Sequence, residues 1–208
     1  MREQFFSDLR ASHQDSTDAR WEMIYKAAFP NYEGSSTDLW NIQEQAKGID
    51  RVIVINGKKY TVEEKYSAYD FDTMLLELWD ERNHTPFKKG WMSKIMDGEL
   101  PVDLFHYNRK PLKSSFIMRP QDLADYWNKN GDRLLSETHR RKHSKNENYY
   151  TISWCISVQE VADIPNCRFI NWCERENKYI CYPANYKQYK SIQQDNKIVR
   201  AQRMLGIM

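Results

Sequence analysis

Residues 48–65 read Gly48-Ile49-Asp50-Arg51-Val52-Ile53-Val54-Ile55-Asn56-Gly57-Lys58-Lys59-Tyr60-Thr61-Val62-Glu63-Glu64-Lys65, two strand-forming runs joined by Asn-Gly. Asn-Gly in that setting is the strongest short-range signal for a two-residue type I′ hairpin, because both turn positions need positive φ. With Asn56 and Gly57 as the turn, Ile55 faces Lys58, and counting outward brings Asp50 opposite Glu63 on one face. Lys65 lies two residues further along that face, diagonal to Asp50, since strand side chains alternate with period two. A four-residue loop instead opposes Asp50 to Lys65 and puts Glu63 on the diagonal, so the three groups still converge. Only a one-residue slip scatters them.

Opposed residues on paired strands have β-carbons about 4.5–5.5 Å apart, and like charges so placed destabilise the pair unless something cancels them. A divalent cation does so. Two carboxylates suit Mg²⁺, a hard ion that takes oxygen ligands and keeps several waters, with Mn²⁺ as a substitute, and an adjacent ammonium can orient a water and stabilise charge on a phosphoryl group. The chemistry that wants this set is metal-assisted phosphodiester hydrolysis. The plainer reading is an exposed edge pair of acids satisfied by lysines.

Asp50 followed across a hairpin by Glu63-Glu64-Lys65 resembles the PD-(D/E)xK nuclease superfamily, the restriction-endonuclease-like fold. Gly48-Ile49-Asp50-Arg51, Val62-Glu63-Glu64-Lys65-Tyr66, Leu75-Leu76-Glu77-Leu78-Trp79 and Gly90-Trp91 are similar to small phage and prophage proteins described as nucleases of that superfamily, over about residues 20–160. Ile49 stands where the superfamily's name has Pro. The resemblance implies Asp50 and Glu63 as metal ligands, Lys65 as the catalytic lysine and the Glu64 carbonyl as a further ligand. It also implies DNA as the usual substrate, with RNA as the alternative polymer.

The 208 residues fit one domain, with a core over about 15–160 and a C-terminal elaboration over about 161–208. Mean hydropathy is −0.85, yet 13% of residues are aromatic, including 7 Trp and 13 Tyr, which argues for an aromatic-anchored core over disorder. A net charge of +2 is too small to imply nucleic-acid binding, so any basic footprint must be local. No apolar run approaches membrane-spanning length and the first residues hold no signal-peptide core, so the expectation is a soluble, cytoplasmic protein of phage or prophage type with no membrane partner. Cys155, Cys167, Cys173 and Cys181 lack C-x-x-C spacing and read as reduced thiols.

Trp21, Ile24, Tyr25, Ala28 and Phe29 recur at helical spacing after the cap candidates at 15–18, and Glu22 sits beside that stripe. An acid on the first helix approaches the metal in many nucleases of the resembled superfamily, so Glu22 is a candidate there beside its plain reading as a solvated glutamate. Residues 31–37 read as a loop and 38–46 as a short helical piece carrying Gln43 and Glu44. Thr73 to Trp79 reads as a third strand, Met74, Leu76 and Leu78 on one face and Glu77 on the other. Glu77 is either a third acid beside the metal or the partner of Lys65, unless it faces water at an edge. Residues 102–107 and 114–118 form a second hairpin, and a helix spans 120–130 with Pro in its first turn. Residues 150–158 alternate as a strand, and 184–205 read as a terminal helix.

The basic run Thr138-His139-Arg140-Arg141-Lys142-His143-Ser144-Lys145 reads as a mobile loop whose Arg140, Arg141, Lys142 and Lys145 contact nucleic-acid phosphates, or as a solvated charge run. His139 and His143 have helix-compatible metal spacing but no third ligand at a defined offset. No P-loop or G-x-G-x-x-G is present, and no base-reading motif. The expectation is an α/β protein with a restriction-endonuclease-like core, a central mixed sheet flanked by helices, acting as a Mg²⁺-dependent nuclease that recognises backbone or shape. A branched-DNA resolvase within this class needs a homodimer. The alternative is a catalytically inactive nucleic-acid- or protein-binding module retaining the nuclease fold.

Overall fold

Asn56 and Gly57 both have positive φ, 53° and 70°, and the hairpin they close forms in the expected register. The computed structural model describes residues 19–36, 48–67, 72–109, 114–146, 148–183 and 186–205. In chain order these build α1 (Ala19–Ala28), β1 (Tyr32–Ser36), β2 (Arg51–Ile55), β3 (Lys58–Ser67), β4 (Thr73–Arg82), β5 (Thr85–Lys89), α2 (Trp91–Met96), β6 (Leu104–Arg109), β7 (Ser114–Met118) and α3 (Pro120–Ser136). A 3₁₀ turn (Thr138–Arg140), β8 (Arg141–Lys145), β9 (Tyr150–Ser157), α4 (Val158–Val161), β10 (Arg168–Cys173), β11 (Lys178–Pro183) and α5 (Tyr186–Met204) follow.

A seven-stranded mixed sheet runs β1-β2-β3-β6-β7-β10-β11, and a second sheet of four strands runs β5-β4-β9-β8. The expected third strand, β4, is therefore not beside the first hairpin. β3 instead pairs in parallel with β6. Parallel neighbours need a crossover connection, and β4, β5 and α2 occupy it. The hydrophobic alternation of β4 is as expected, with Met74, Leu76 and Leu78 buried, but alternation does not say which strand is the neighbour.

The larger core lies between the sheets and α2, α3 and α4. β6 sends Phe105 and Tyr107 into it, Phe105 stacking on Trp91 at 4.5 Å, while Leu104 packs with the opposite cluster. That second cluster is built by Trp21, Ile24, Tyr25 and Ala28 of α1 on Ile53, Val62, Ile117 and Ile170. Each fully buried side chain of this size contributes about 1.5–3 kcal/mol.

Three expectations change. Residues 32–36 form β1, pairing along β2 with a bulge between Tyr32 and Gly34, and not a loop. The polar sequence Tyr32-Glu33-Gly34-Ser35-Ser36 has no apolar alternation, so its strand character comes from the backbone groups of β2 that it pairs. The basic run is no mobile loop but the 3₁₀ turn and edge strand β8, all five strand residues exposed and the strand laddered to β9. His139 and His143 consequently sit in different elements, which removes their helical metal spacing. The helix expected at 120–130 continues to Ser136, with Leu134 buried and Gly131 against the Trp127 ring. The helical piece at 38–46, with Gln43 and Glu44, lies outside the described residues.

The C-terminal part is built into the first sheet. β10 pairs with β7 and β11, with Phe169 and Ile170 fully buried, and α5 is held by Glu174, which bonds Arg200 and Arg203 at 3.3 and 3.2 Å. Among the described residues no helix is long and apolar enough to cross a membrane.

Candidate active site

The β2–β3 ladder runs from Ile55↔Lys58 to Arg51↔Val62, and just past its last pair the Asp50 N–H donates to the Val62 carbonyl at 2.9 Å. The Asp50 Oδ2 accepts the Glu64 N–H at 2.8 Å, and its carboxylate is near enough to Glu63 and Lys65 to act on both. Lys65 Nζ pairs with Glu63 Oε1. The second carboxylate oxygen, Glu63 Oε2, is buried and has no hydrogen-bond partner. Such an oxygen is costly to bury without a proton or a cation beside it. Burial, opposed by Lys65 and reinforced by Asp50, pushes the Glu63 carboxyl up to about 7. Burial acts to lower the Lys65 ammonium, but Glu63, Asp50 and Glu77 outweigh it and raise it above its ordinary value. Gly48, at φ 80°, passes over this acid: a β-carbon there would lie 2.9 Å from Glu63 Oε2 and 2.7 Å from Leu100 Cδ1.

Glu63 and Lys65 open into a cleft of about 140 Å³ between β3, the β4–β5 hairpin and α2. Glu77 and Asp80 of β4 line its far wall. They are three residues apart, and a bulge between Glu77 and Trp79 changes the alternation so that both reach it. Glu77 is raised by burial and by Asp80 against the opposing pull of Lys65 and Lys88. Asp80 accepts Thr151 Oγ1–H at 2.7 Å and lies 3.7 Å from Lys88. Lys88, Lys89 and Lys94 complete the rim. The cleft thus alternates acids with ammonium groups.

The opposite face of the hairpin carries a buried network. Glu64 Oε1 accepts from Arg51 Nε at 2.5 Å and from Tyr25 Oη at 2.8 Å, and Arg51 donates to Ser35 Oγ at 3.0 Å. The Tyr25 hydroxyl gives its one proton to Glu64, so it accepts from His106 Nδ1–H, 2.9 Å away, which leaves His106 Nε2 as the unprotonated nitrogen. Burial, with Arg51 adding, pushes His106 down to about 3, in keeping with a neutral ring. This network pins β3 from behind, so Glu63 and Lys65 are aimed forward.

Of the residues singled out in the sequence, Asp50, Glu63, Lys65 and Glu77 come together. Glu22 does not: its Oε1 accepts from Tyr32 Oη at 2.7 Å and Ser35 Oγ at 2.5 Å, in the network on the α1 face, away from the cleft. The Glu64 carboxylate is on that face too, which leaves only its main-chain carbonyl as a donor toward a cation. Arg140 is tied to Glu137 and Glu160 at 2.5 and 2.6 Å. Arg141 lies 3.7 Å from Glu81 and over the Trp154 ring, whereas Lys142 and Lys145 are exposed on the edge strand. Asp80, Lys88 and Lys94 escaped sequence reading. The signal that could have found the first two is Asn83-His84, a second two-residue turn with φ 50° and 61° that continues Thr73–Trp79 into a hairpin. No protein-family model, curated protein or solved structure matches the chain.

The donor set fits a hard cation. Among the described residues no group of three His, Cys, Asp or Glu side chains is placed to hold a metal, but Mg²⁺ is ordinarily bound through one or two carboxylates and retains waters. Asp50 and Glu63, the latter with an unpartnered oxygen, supply that number of carboxylates.

Proposed function

We propose that the protein is a Mg²⁺-dependent nuclease that hydrolyses phosphodiester bonds in DNA, with a restriction-endonuclease-like core, recognising backbone or shape. The observation that carries this reading is the convergence of Asp50, Glu63 and Lys65 on one strand face, with Glu63 Oε2 buried and unpartnered at the mouth of a polar cleft. Its support in the fold is the α1–β1–β2–β3 unit followed by a crossover to a parallel strand.

Asp50 and Glu63 would hold the cation. When bound, it polarises a phosphoryl oxygen and makes water a stronger nucleophile near neutral pH. Lys65, paired with Glu63 beside the site, would orient the attacking water and stabilise charge growing on the phosphoryl oxygens. Glu77, on the far wall of the cleft, adds negative charge that favours the Lys65 ammonium.

The test is incubation with supercoiled plasmid, linear duplex, single strands, a four-way junction and RNA, with Mg²⁺ or Mn²⁺ and with chelator. Cleavage of at least one substrate is expected, abolished by chelator and by Asp50→Ala, Glu63→Ala or Lys65→Ala, with losses of at least about 10²-fold. Mg²⁺ should also raise the Tm of the native chain and not that of Asp50→Ala. Cleavage that survives Asp50→Ala overturns the assignment.

A further inference from the structure

The β4–β5 hairpin forms one lip of the cleft and ends the second sheet as an outer strand exposed at every residue of β5. Phe87 sits on it, 52% exposed, one residue from the cleft lysine Lys88. The ring is held, not loose: the Arg82 guanidinium lies 5.2 Å from its centre and Tyr149 meets it nearly edge-on at 5.8 Å. β5 bulges at this residue, between the pairs Asp80↔Lys88 and Glu81↔Pro86. A fixed, half-open aromatic ring beside cationic side chains has the character of a stacking platform, because every unpaired base offers a π-face and its backbone offers phosphates.

The cleft lysines are not equivalent. Lys89 is neutralised by Asp97 at 2.6 Å and Glu99 at 2.5 Å. Lys88 has only a 3.7 Å approach to Asp80 and is 63% exposed. Lys94, half-buried on α2 at the rim, has no carboxylate partner among the described residues. Lys88 and Lys94 are therefore the ammonium groups here with capacity for a phosphate.

We propose that this hairpin binds a single-stranded segment of the substrate, Phe87 stacking on an unpaired base while Lys88 and Lys94 hold the phosphates that lead to Asp50 and Glu63. The inference deepens the nuclease reading and rests on it for the identity of the polymer. A closed duplex keeps its base faces stacked internally and has none to give Phe87.

The experiment is fluorescence anisotropy on the Asp50→Ala chain in chelator, with a labelled DNA strand alone, as a blunt duplex and as a duplex with a single-stranded overhang. The single strand and the overhang should bind about tenfold more tightly than the blunt duplex, and Phe87→Ala should remove about tenfold from them while Phe87→Trp restores it. Lys94→Gln should weaken single-strand binding and reduce its salt slope by about 0.7. A blunt duplex bound as tightly as the strand, indifference to Phe87→Ala, or binding of no nucleic acid overturns the proposal. Metal-dependent cleavage by the native chain with Phe87 inert leaves the nuclease reading standing and this one fallen. Strand-selective binding with no cleavage does the reverse.

Discussion

At the scale of single residues, the hairpin divides its charges by parity: Glu63 and Lys65 face the cleft, while Arg51 and Glu64 are buried behind it. His106 gives that rear network a pH dependence. It titrates at about 3 when folded and near 6.5 when unfolded, so between these values the unfolded chain takes up a proton that the folded chain refuses. The stability contributed by neutral His106 is complete above about pH 6.5 and falls with decreasing pH, by about 1.4 kcal/mol per unit. Because the raised Glu63 carboxyl takes up a proton in the folded chain over the same range and pulls the other way, the His106 contribution is read as a difference: urea unfolding of the native chain and of His106→Gln at pH 7 and pH 5 should show the variant gaining stability relative to the native chain as the pH falls. An unchanged slope would mean that the ring is not the group responsible.

At the scale of elements, the cleft exists because α2 comes close to β4, and Gly90 permits it. A β-carbon at Gly90 would lie 2.3 Å from the Glu77 carbonyl oxygen and 2.5 Å from its carbon, both main-chain atoms that cannot swing aside. Gly90→Ala must push α2 outward, with Trp91 and Lys94 on it; a loss of about 1–3 kcal/mol is expected in thermal unfolding, with reduced cleavage. Strand β8 carries a different expectation. Its exposed lysines Lys142 and Lys145 blunt an edge strand against self-association, whether or not they touch a substrate. If they do contact duplex phosphates, alanine at each lowers the salt slope of binding by about 0.9, and a titration of affinity against salt concentration decides it.

At the scale of the whole molecule, the two sheets and the C-terminal strands behave as one packed unit. Cys167 and Phe169 belong to the same core as Leu76 of β4 and Phe105 of β6. A chain ended after residue 161 leaves β7 without its β10 neighbour and opens that core, so it should show no cooperative urea transition. A cooperative transition in the truncated chain would show that the core closes without the C-terminal strands.

The turn chemistry of Asn56-Gly57 and the period-two pattern around it were enough to place Asp50, Glu63 and Lys65 on one face, because a hairpin register is a local property settled by turn geometry. The helix at Ala19–Ala28, the β6–β7 pair and the buried faces of β4 and β9 were legible for the same reason, each carrying its own periodicity. Neighbour choice was not legible. That β3 takes β6 as a parallel partner, that β4 leaves for a second sheet, and that polar residues 32–36 become a strand all depend on backbone groups far away in sequence. The far wall of the cleft follows from these long-range choices, and so does the removal of Glu22 to the other face. The sequence alone determined the acid pair and its lysine; only the tertiary structure decided what stands opposite them, because a cleft is made by elements that meet in space without any local pattern to announce it.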